Sequence, residues 1–192
     1  MLDSIVELSS PEVVTPVLKY EIFKVPPSKD GKPELLGNVK EDEGTKKVRA
    51  EDYGKNFYYA YQKVDGADAP VGCIRAIRGE ILLMNPKTGA TTEEVGYVNH
   101  GPQISSEIHA EEPGLIFDMD NNPIGRVNAV TGAIYTWSSK TNKEGVLVGY
   151  FTGPKENLYY PNGEINNEVR FRRESVGALA AHAFHLLKPA QP

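Results

Sequence analysis

The side chains able to do chemistry fall in a few places along the chain. Asp118-Met119-Asp120-Asn121-Asn122 presents alternating oxygen donors of the kind that opens a calcium loop. The pattern then breaks: Pro123 stands where an EF-hand needs its glycine, and Ala129 where it needs a bidentate glutamate. A hairpin turn rich in Asp and Asn accounts for the same residues. Asp118 and Asp120 are also the nominees for a carboxylate-dependent hydrolase, whose acid–base chemistry takes a pair of carboxylates. His182 and His185 lie three apart, which on a helix sets both imidazoles on one face and could begin a metal site. Two ligands do not complete one, so both histidines are expected on the polar side of an apolar helix. His109, between Glu107 and Glu111, invites an acid–base role, but Pro102 and Pro113 bracket it as an exposed loop. Cys73, flanked by Gly72 and Ile74, reads as a small buried hydrophobe. The chain has no Gly-x-Ser-x-Gly elbow and no Gly-x-x-x-x-Gly-Lys phosphate loop. No catalytic set, metal or cofactor is implied.

Aromatic residues are the remaining candidates. Tyr59, Tyr97, Tyr135, Trp137 and Tyr150 recur at matching places between turn signals. Rings with a polar tip suit a surface that holds a glycan or a protein partner, although cross-strand ring pairs within a sheet use the same residues.

Charge narrows the partners. Lys and Arg total 21 against 26 Asp and Glu, a net charge of −5 over 192 residues, and the basic residues are scattered. A protein held on nucleic acid by neutralising phosphates needs the opposite balance. Arg170, Arg172 and Arg173 are the one basic cluster, expected as the solvated end of a strand. No apolar run approaches the ~20 residues that span a bilayer, and Met1 to Glu7 carries neither a basic nor an apolar leader segment. A single cysteine forms no internal disulfide and points to a reducing, cytoplasmic setting. The expected partners are therefore a protein or a glycan, with no nucleic acid and no membrane. A homo-oligomer is compatible with the sequence.

These residues need elements to hold them, and the elements are written in glycines. An aliphatic residue, glycine, any residue and another apolar residue recur as Leu36-Gly37-Asn38-Val39, Val71-Gly72-Cys73-Ile74, Val95-Gly96-Tyr97-Val98, Ile124-Gly125-Arg126-Val127, Val148-Gly149-Tyr150-Phe151 and Val176-Gly177-Ala178-Leu179. Upstream of each glycine lies a short apolar segment such as Ile81-Leu82-Leu83-Met84 or Ile134-Tyr135-Thr136-Trp137. Between segment and glycine stand turn formers such as Asp65-Gly66 and Asn85-Pro86-Lys87-Thr88-Gly89. Each unit therefore reads as a β-hairpin. A glycine inside the second strand is costly unless something recurs that requires it. The expectation is that a neighbouring backbone or ring comes too close for a Cβ, or that the strand bends there.

Hairpins cannot bury their own apolar faces, so successive hairpins must share a core and close or cover their edges. The predicted fold is all-β: antiparallel hairpin repeats over 18–174 forming a closed, flower-like or barrel-like sheet, with one α-helix over 175–188, in a single domain. The helix rests on Val176, Leu179, Ala180, Ala183, Phe184 and Leu187 at helical spacing, with Ser175 as N-cap and Pro189 beyond the end. Phe184 and Leu187 are expected to dock on the sheet.

The order of short strand, turn and Ile-Gly-x-Val, from Ile116-Phe117 through Gly125-Arg126-Val127 and from Ile134-Tyr135 through Gly149-Tyr150-Phe151, resembles small bacterial β-repeat proteins of the four-fold β-flower type. More than four units are visible here. The resemblance implies a hairpin-built sheet and brings no catalytic residues. The functional expectation is a non-catalytic binding or interaction module, with a carboxylate hydrolase or a structural subunit of an assembly as the alternatives.

Overall fold

The computed structural model describes residues 18–41, 58–75, 79–99, 114–154 and 158–187. They form β1 (Lys19–Lys24), β2 (Glu34–Glu41), β3 (Tyr58–Val64), β4 (Ala67–Arg75), β5 (Glu80–Met84), β6 (Thr91–Asn99), β7 (Leu115–Asp118), β8 (Pro123–Val127), β9 (Ala133–Ser138), β10 (Lys143–Thr152) and α1 (Asn167–Ala183). Every strand pairs antiparallel with its sequence neighbours, and β1 closes on β10. The result is a ten-stranded closed barrel made of five hairpins, β1–β2 through β9–β10. The turn chemistry read from sequence is present. Asp65 and Gly66 both have positive φ, as a two-residue turn between twisted strands requires. In the β5–β6 turn, Asn85 Oδ1 accepts from the N–H groups of Lys87 and Thr88 at 2.8 and 3.3 Å.

The repeat glycines occupy one register position. Gly37, Gly72, Gly96, Gly125 and Gly149 stand opposite Ile22, Ala60, Ile81, Ile116 and Ile134, all buried residues of the first strands. In all five hairpins the register slips by one residue just before the glycine, so the preceding aliphatic residue is a β-bulge. The bulge turns Leu36, Val71, Val95, Ile124 and Val148 onto the core alongside the glycine. Both expected reasons for the glycine hold. The strand bends there, and a Cβ would lie 2.0 Å from the Phe117 carbonyl oxygen at Gly96 and 2.2 Å from that of Tyr61 at Gly37.

A third reason was not anticipated, because it comes from the helix. A Cβ at these glycines would also meet Phe184 at Gly37, Ala183 and Leu179 at Gly72, His182 at Gly96, Leu187 at Gly125 and Leu186 at Gly149. The helix and the turn that follows it, residues 184–187, together touch all five hairpins, and the helix occupies the lumen. Its residues 174–181 are buried without interruption, which only a helix walled on every side can be. The run Gly177-Ala178-Leu179-Ala180-Ala181 keeps it slim enough for the barrel. Phe184 and Leu187 do dock on the sheet, but from inside it, rather than sealing an open edge.

Three sequence expectations are corrected. The helix runs from Asn167 to Ala183 and not over 175–188: Asn166 caps its start, its side chain accepting from Val169 N–H at 3.5 Å, so Ser175 is a buried mid-helix residue and not the N-cap, and residues 184–187 form a turn. Arg170, Arg172 and Arg173 accordingly lie on the helix, not at a strand end, and are half-buried. Arg170 pairs with the buried Glu174 at 3.5 Å, and Arg173 lies over the Phe151 ring at 5.0 Å. Finally, the sixth match, Val176-Gly177-Ala178-Leu179, is helix rather than hairpin, and the strands end at Thr152.

Candidate functional site

All five hairpin turns lie at one end of the barrel, and α1 enters from the other, so the C-terminal end of the helix arrives among the turns. Beyond the glycines the hairpins part from one another. β6, for example, pairs with β7 only through Gly96–Asn99, although the strand begins at Thr91. Clefts open between the separated hairpins. One of about 330 Å³ lies between the first two and is lined by Lys19, Glu21, Lys63 and Asp68 among others. There Lys63 bonds Asp68 at 3.1 Å and holds its carboxyl below the usual range. A second of about 310 Å³ lies between β5–β6 and β7–β8, with Leu83, Val95, Ile124 and Leu187 as walls and Glu93, Asp118, His182 and His185 as polar groups.

Alternation along the strands explains this polar set. Ile116 and Ile81 face the lumen, so two residues on, Asp118 and Leu83 face the same way, and Glu93 is the register partner of Leu83. The corresponding positions of the other first strands hold Lys24, Gln62 and Thr136. Asp118 Oδ1 accepts from the backbone N–H groups of Asp120 and Asn122 at 3.0 and 2.9 Å, and its Oδ2 from Asn122 Nδ2 at 3.3 Å. The carboxylate thus organises its own turn, as the hairpin reading of Asp118–Asn122 required. Asp120 is exposed at the tip.

His182 departs from expectation. Its side chain faces Gly96 from inside the barrel, not the polar side of a surface helix, because α1 has no such side at this level. Burial pushes the imidazole down to about 4, helped by His185 and opposed by the Phe117 backbone and the Asp118 carboxylate. His182 is therefore neutral at pH 7. His185, three residues on, is exposed and follows the Phe184 C-cap with φ +55°. Among the described residues no three His, Cys, Asp or Glu side chains converge as a metal site. Cys73 is fully buried, and burial raises its thiol to about 11, which suits a packing residue. His109, Glu107 and Glu111 lie outside the described residues.

The five aromatic candidates are not brought together. All are half-buried and, by alternation, face outward. Tyr59 lies on β3 beside Tyr61, ring centroids 6.4 Å apart, and Lys40 sits over Tyr61. Tyr97 lies on β6, stacked on Phe117 at 4.9 Å, its hydroxyl donating to Asn121 Oδ1 at 3.0 Å. Burial and the Asp118 carboxylate raise the Tyr97 phenol. Tyr135, Trp137 and Tyr150 share the β9–β10 hairpin. There Tyr150 stacks on Phe23 of β1 at 5.2 Å, and Phe23 pairs in register with Leu35 of β2. Leu147 is the partner of Tyr135. Sequence reasoning missed Phe23 and Leu35, whose link to Tyr150 exists only once β1 closes on β10, and Leu147, which meets Tyr135 within the β9–β10 hairpin.

The fold is thus an antiparallel barrel with a helix in its lumen and clefts between its turns. No known protein family, no curated protein and no solved structure matches this chain. Among the described residues no helix is long and apolar enough to cross a membrane.

Proposed function

We propose that this chain is a non-catalytic interaction module whose partner is a protein, held on the outer wall formed by β9, β10, β1 and β2. The observation that carries the reading is the apolar group on that wall. Leu35 is 58% exposed and Leu147 38%, contiguous through the register with the Phe23–Tyr150 stack and Tyr135. Soluble surfaces seldom keep such groups together unless something covers them. Protein is favoured over glycan because a sugar needs an open ring face, and Phe23 and Tyr150 cover one face of each other. Against a carboxylate hydrolase weighs the engagement of Asp118 in its turn, well separated in role from the exposed Asp120. The likeness to bacterial β-flower proteins supports a hairpin-built scaffold with five units in place of four, and a cytoplasmic setting rests on the lone Cys73.

The test places a photo-crosslinking benzoylphenylalanine at Leu35, at Tyr135 or, as control, at Tyr59, in cells that produce the protein. One adduct of the same mass from Leu35 and Tyr135, absent at Tyr59 and lost with Leu147→Lys, is the expected result. Adducts equal at all three positions, or none at Leu35 and Tyr135, refute the reading. Binding to a glycan array abolished by Tyr150→Ala would replace it with the glycan alternative.

A further inference from the structure

The cleft between β5–β6 and β7–β8 differs in charge from the other clefts at the turn end. Its lining includes two carboxylates, Glu93 and Asp118, and no lysine or arginine. The cleft between the first two hairpins carries Lys19 and Lys63 against Glu21 and Asp68. Among the described residues no cation pairs with Glu93 or Asp118; the ion pairs of this structure involve other carboxylates. Among the described residues that line the cleft, the groups able to offset the two carboxylates are His182 and His185, and burial of His182 against Gly96 keeps that imidazole uncharged. The floor of the cleft is the C-terminal end of α1, with Ala181 and His182 in its last turn and His185 just beyond the cap, at the negative end of the helix dipole. Four aliphatic side chains, Leu83, Val95, Ile124 and Leu187, make up the walls. Inward positions at this level hold no net negative pair in the other hairpins, so this combination belongs to one seam of the barrel.

We propose that this cleft binds an alkylammonium group, an aliphatic stem seated against Leu83, Val95, Ile124 and Leu187 with its cationic head between Glu93 and Asp118. The volume of about 310 Å³ admits a chain of a few methylenes and its head group. A free amine and a lysine side chain of another polypeptide present the same chemistry. A divalent ion is disfavoured because the four polar groups do not converge as metal ligands. The site lies on different hairpins from the outer wall of β9, β10, β1 and β2, and it stands or falls independently of the interaction reading.

The experiment follows the imidazole signals of His182 and His185 by NMR while the full chain is titrated with n-butylammonium, n-butyrate, 1-butanol, Nα-acetyl-lysine amide or calcium chloride. Saturable shifts with butylammonium, and none with butyrate or butanol, are expected. If the lysine amide gives the same shifts, the source is a protein side chain; if only butylammonium does, it is a free amine. Asp118→Asn keeps an oxygen to accept the Asp120 and Asn122 N–H groups while removing the charge, and should weaken binding about 10-fold or more, the worth of one charge-assisted hydrogen bond. Glu93→Gln, at an exposed residue, supplies the same comparison if Asp118→Asn fails to fold. The proposal is overturned if butyrate binds as well as butylammonium, if calcium produces the shifts at lower concentration, if a folded charge-neutral variant binds unchanged, or if no shift occurs.

Discussion

Replacing Gly96 with alanine adds one methyl group at a point that has no room on two sides. The new Cβ would stand 2.0 Å from the Phe117 carbonyl oxygen and 2.8 Å from His182 Nε2. The histidine end can swing away, but the carbonyl belongs to the β7 backbone and can yield only if the barrel wall shifts. Overpacking of this kind costs about 1–3 kcal/mol, and the stiffer backbone of alanine in a strand returns about 0.5–1 kcal/mol. At Gly72 the neighbours are Ala183 Cβ at 3.0 Å, Leu179 Cδ1 at 3.3 Å and the Leu82 oxygen at 3.3 Å, so a few tenths of an ångström suffice. Gly96→Ala should therefore destabilise by about 2 kcal/mol and Gly72→Ala by less than about 1 kcal/mol. For a chain of this size, 1 kcal/mol moves Tm by about 2–4 °C, so the two variants should separate clearly in thermal and urea unfolding. Adding His182→Ala to Gly96→Ala should restore only part of the loss, because the carbonyl contact remains. Equal stability of the two glycine variants, or the reverse order, would show that contact with the helix and the adjoining strand is not what selects glycine at these positions.

Two other expectations concern protonation. His182 titrates near 4 when folded and near 6.5 when unfolded, so the unfolded chain takes up the proton first as pH falls. The stability contribution of the neutral imidazole is thus fully present above pH 6.5 and lost between pH 6.5 and 4; Tm should fall across that window, and His182→Gln should flatten the fall. A His182 ring that titrates normally by NMR would contradict its burial in the lumen. Cys73, fully enclosed and with its thiol raised to about 11, should resist maleimide at pH 7.5 and react completely once the chain is unfolded in urea. Rapid labelling of the native protein would place it at an accessible surface instead.

Hairpins were legible because their signals are local. The strand pairs, the turn residues and the equivalence of five glycines all lie within short windows of sequence. A second glycine class was equally local and went unread: Gly79, Gly114 and Gly132 each stand two residues before the inward isoleucine of a first strand, with φ of +70°, +81° and +78°. A Cβ there would meet the carbonyl oxygen of Val98, Val127 or Phe151 at 2.4–2.7 Å. The start of α1 was obscured because its first turns, Asn167-Glu168-Val169-Arg170-Phe171-Arg172-Arg173, alternate like an edge strand and lie outside the slim apolar segment that fills the lumen. The site was the least legible part. Glu93 and Asp118 share a cleft only because β6 pairs with β7, and Tyr150 meets Phe23 only because the last strand returns to the first.

Because α1 follows all ten strands, a ribosome delivers the whole wall before the piece that fills it. Each hairpin can form alone within microseconds, but the ring can neither close β1 against β10 nor exclude water from Ile22, Ile81, Ile116 and Ile134 until the helix has emerged. Up to that moment the nascent chain is a string of half-covered ribbons whose sticky inner faces need shielding from neighbouring chains. Closure and core formation are then one event, so the wall and its filling should melt together and neither should persist without the other.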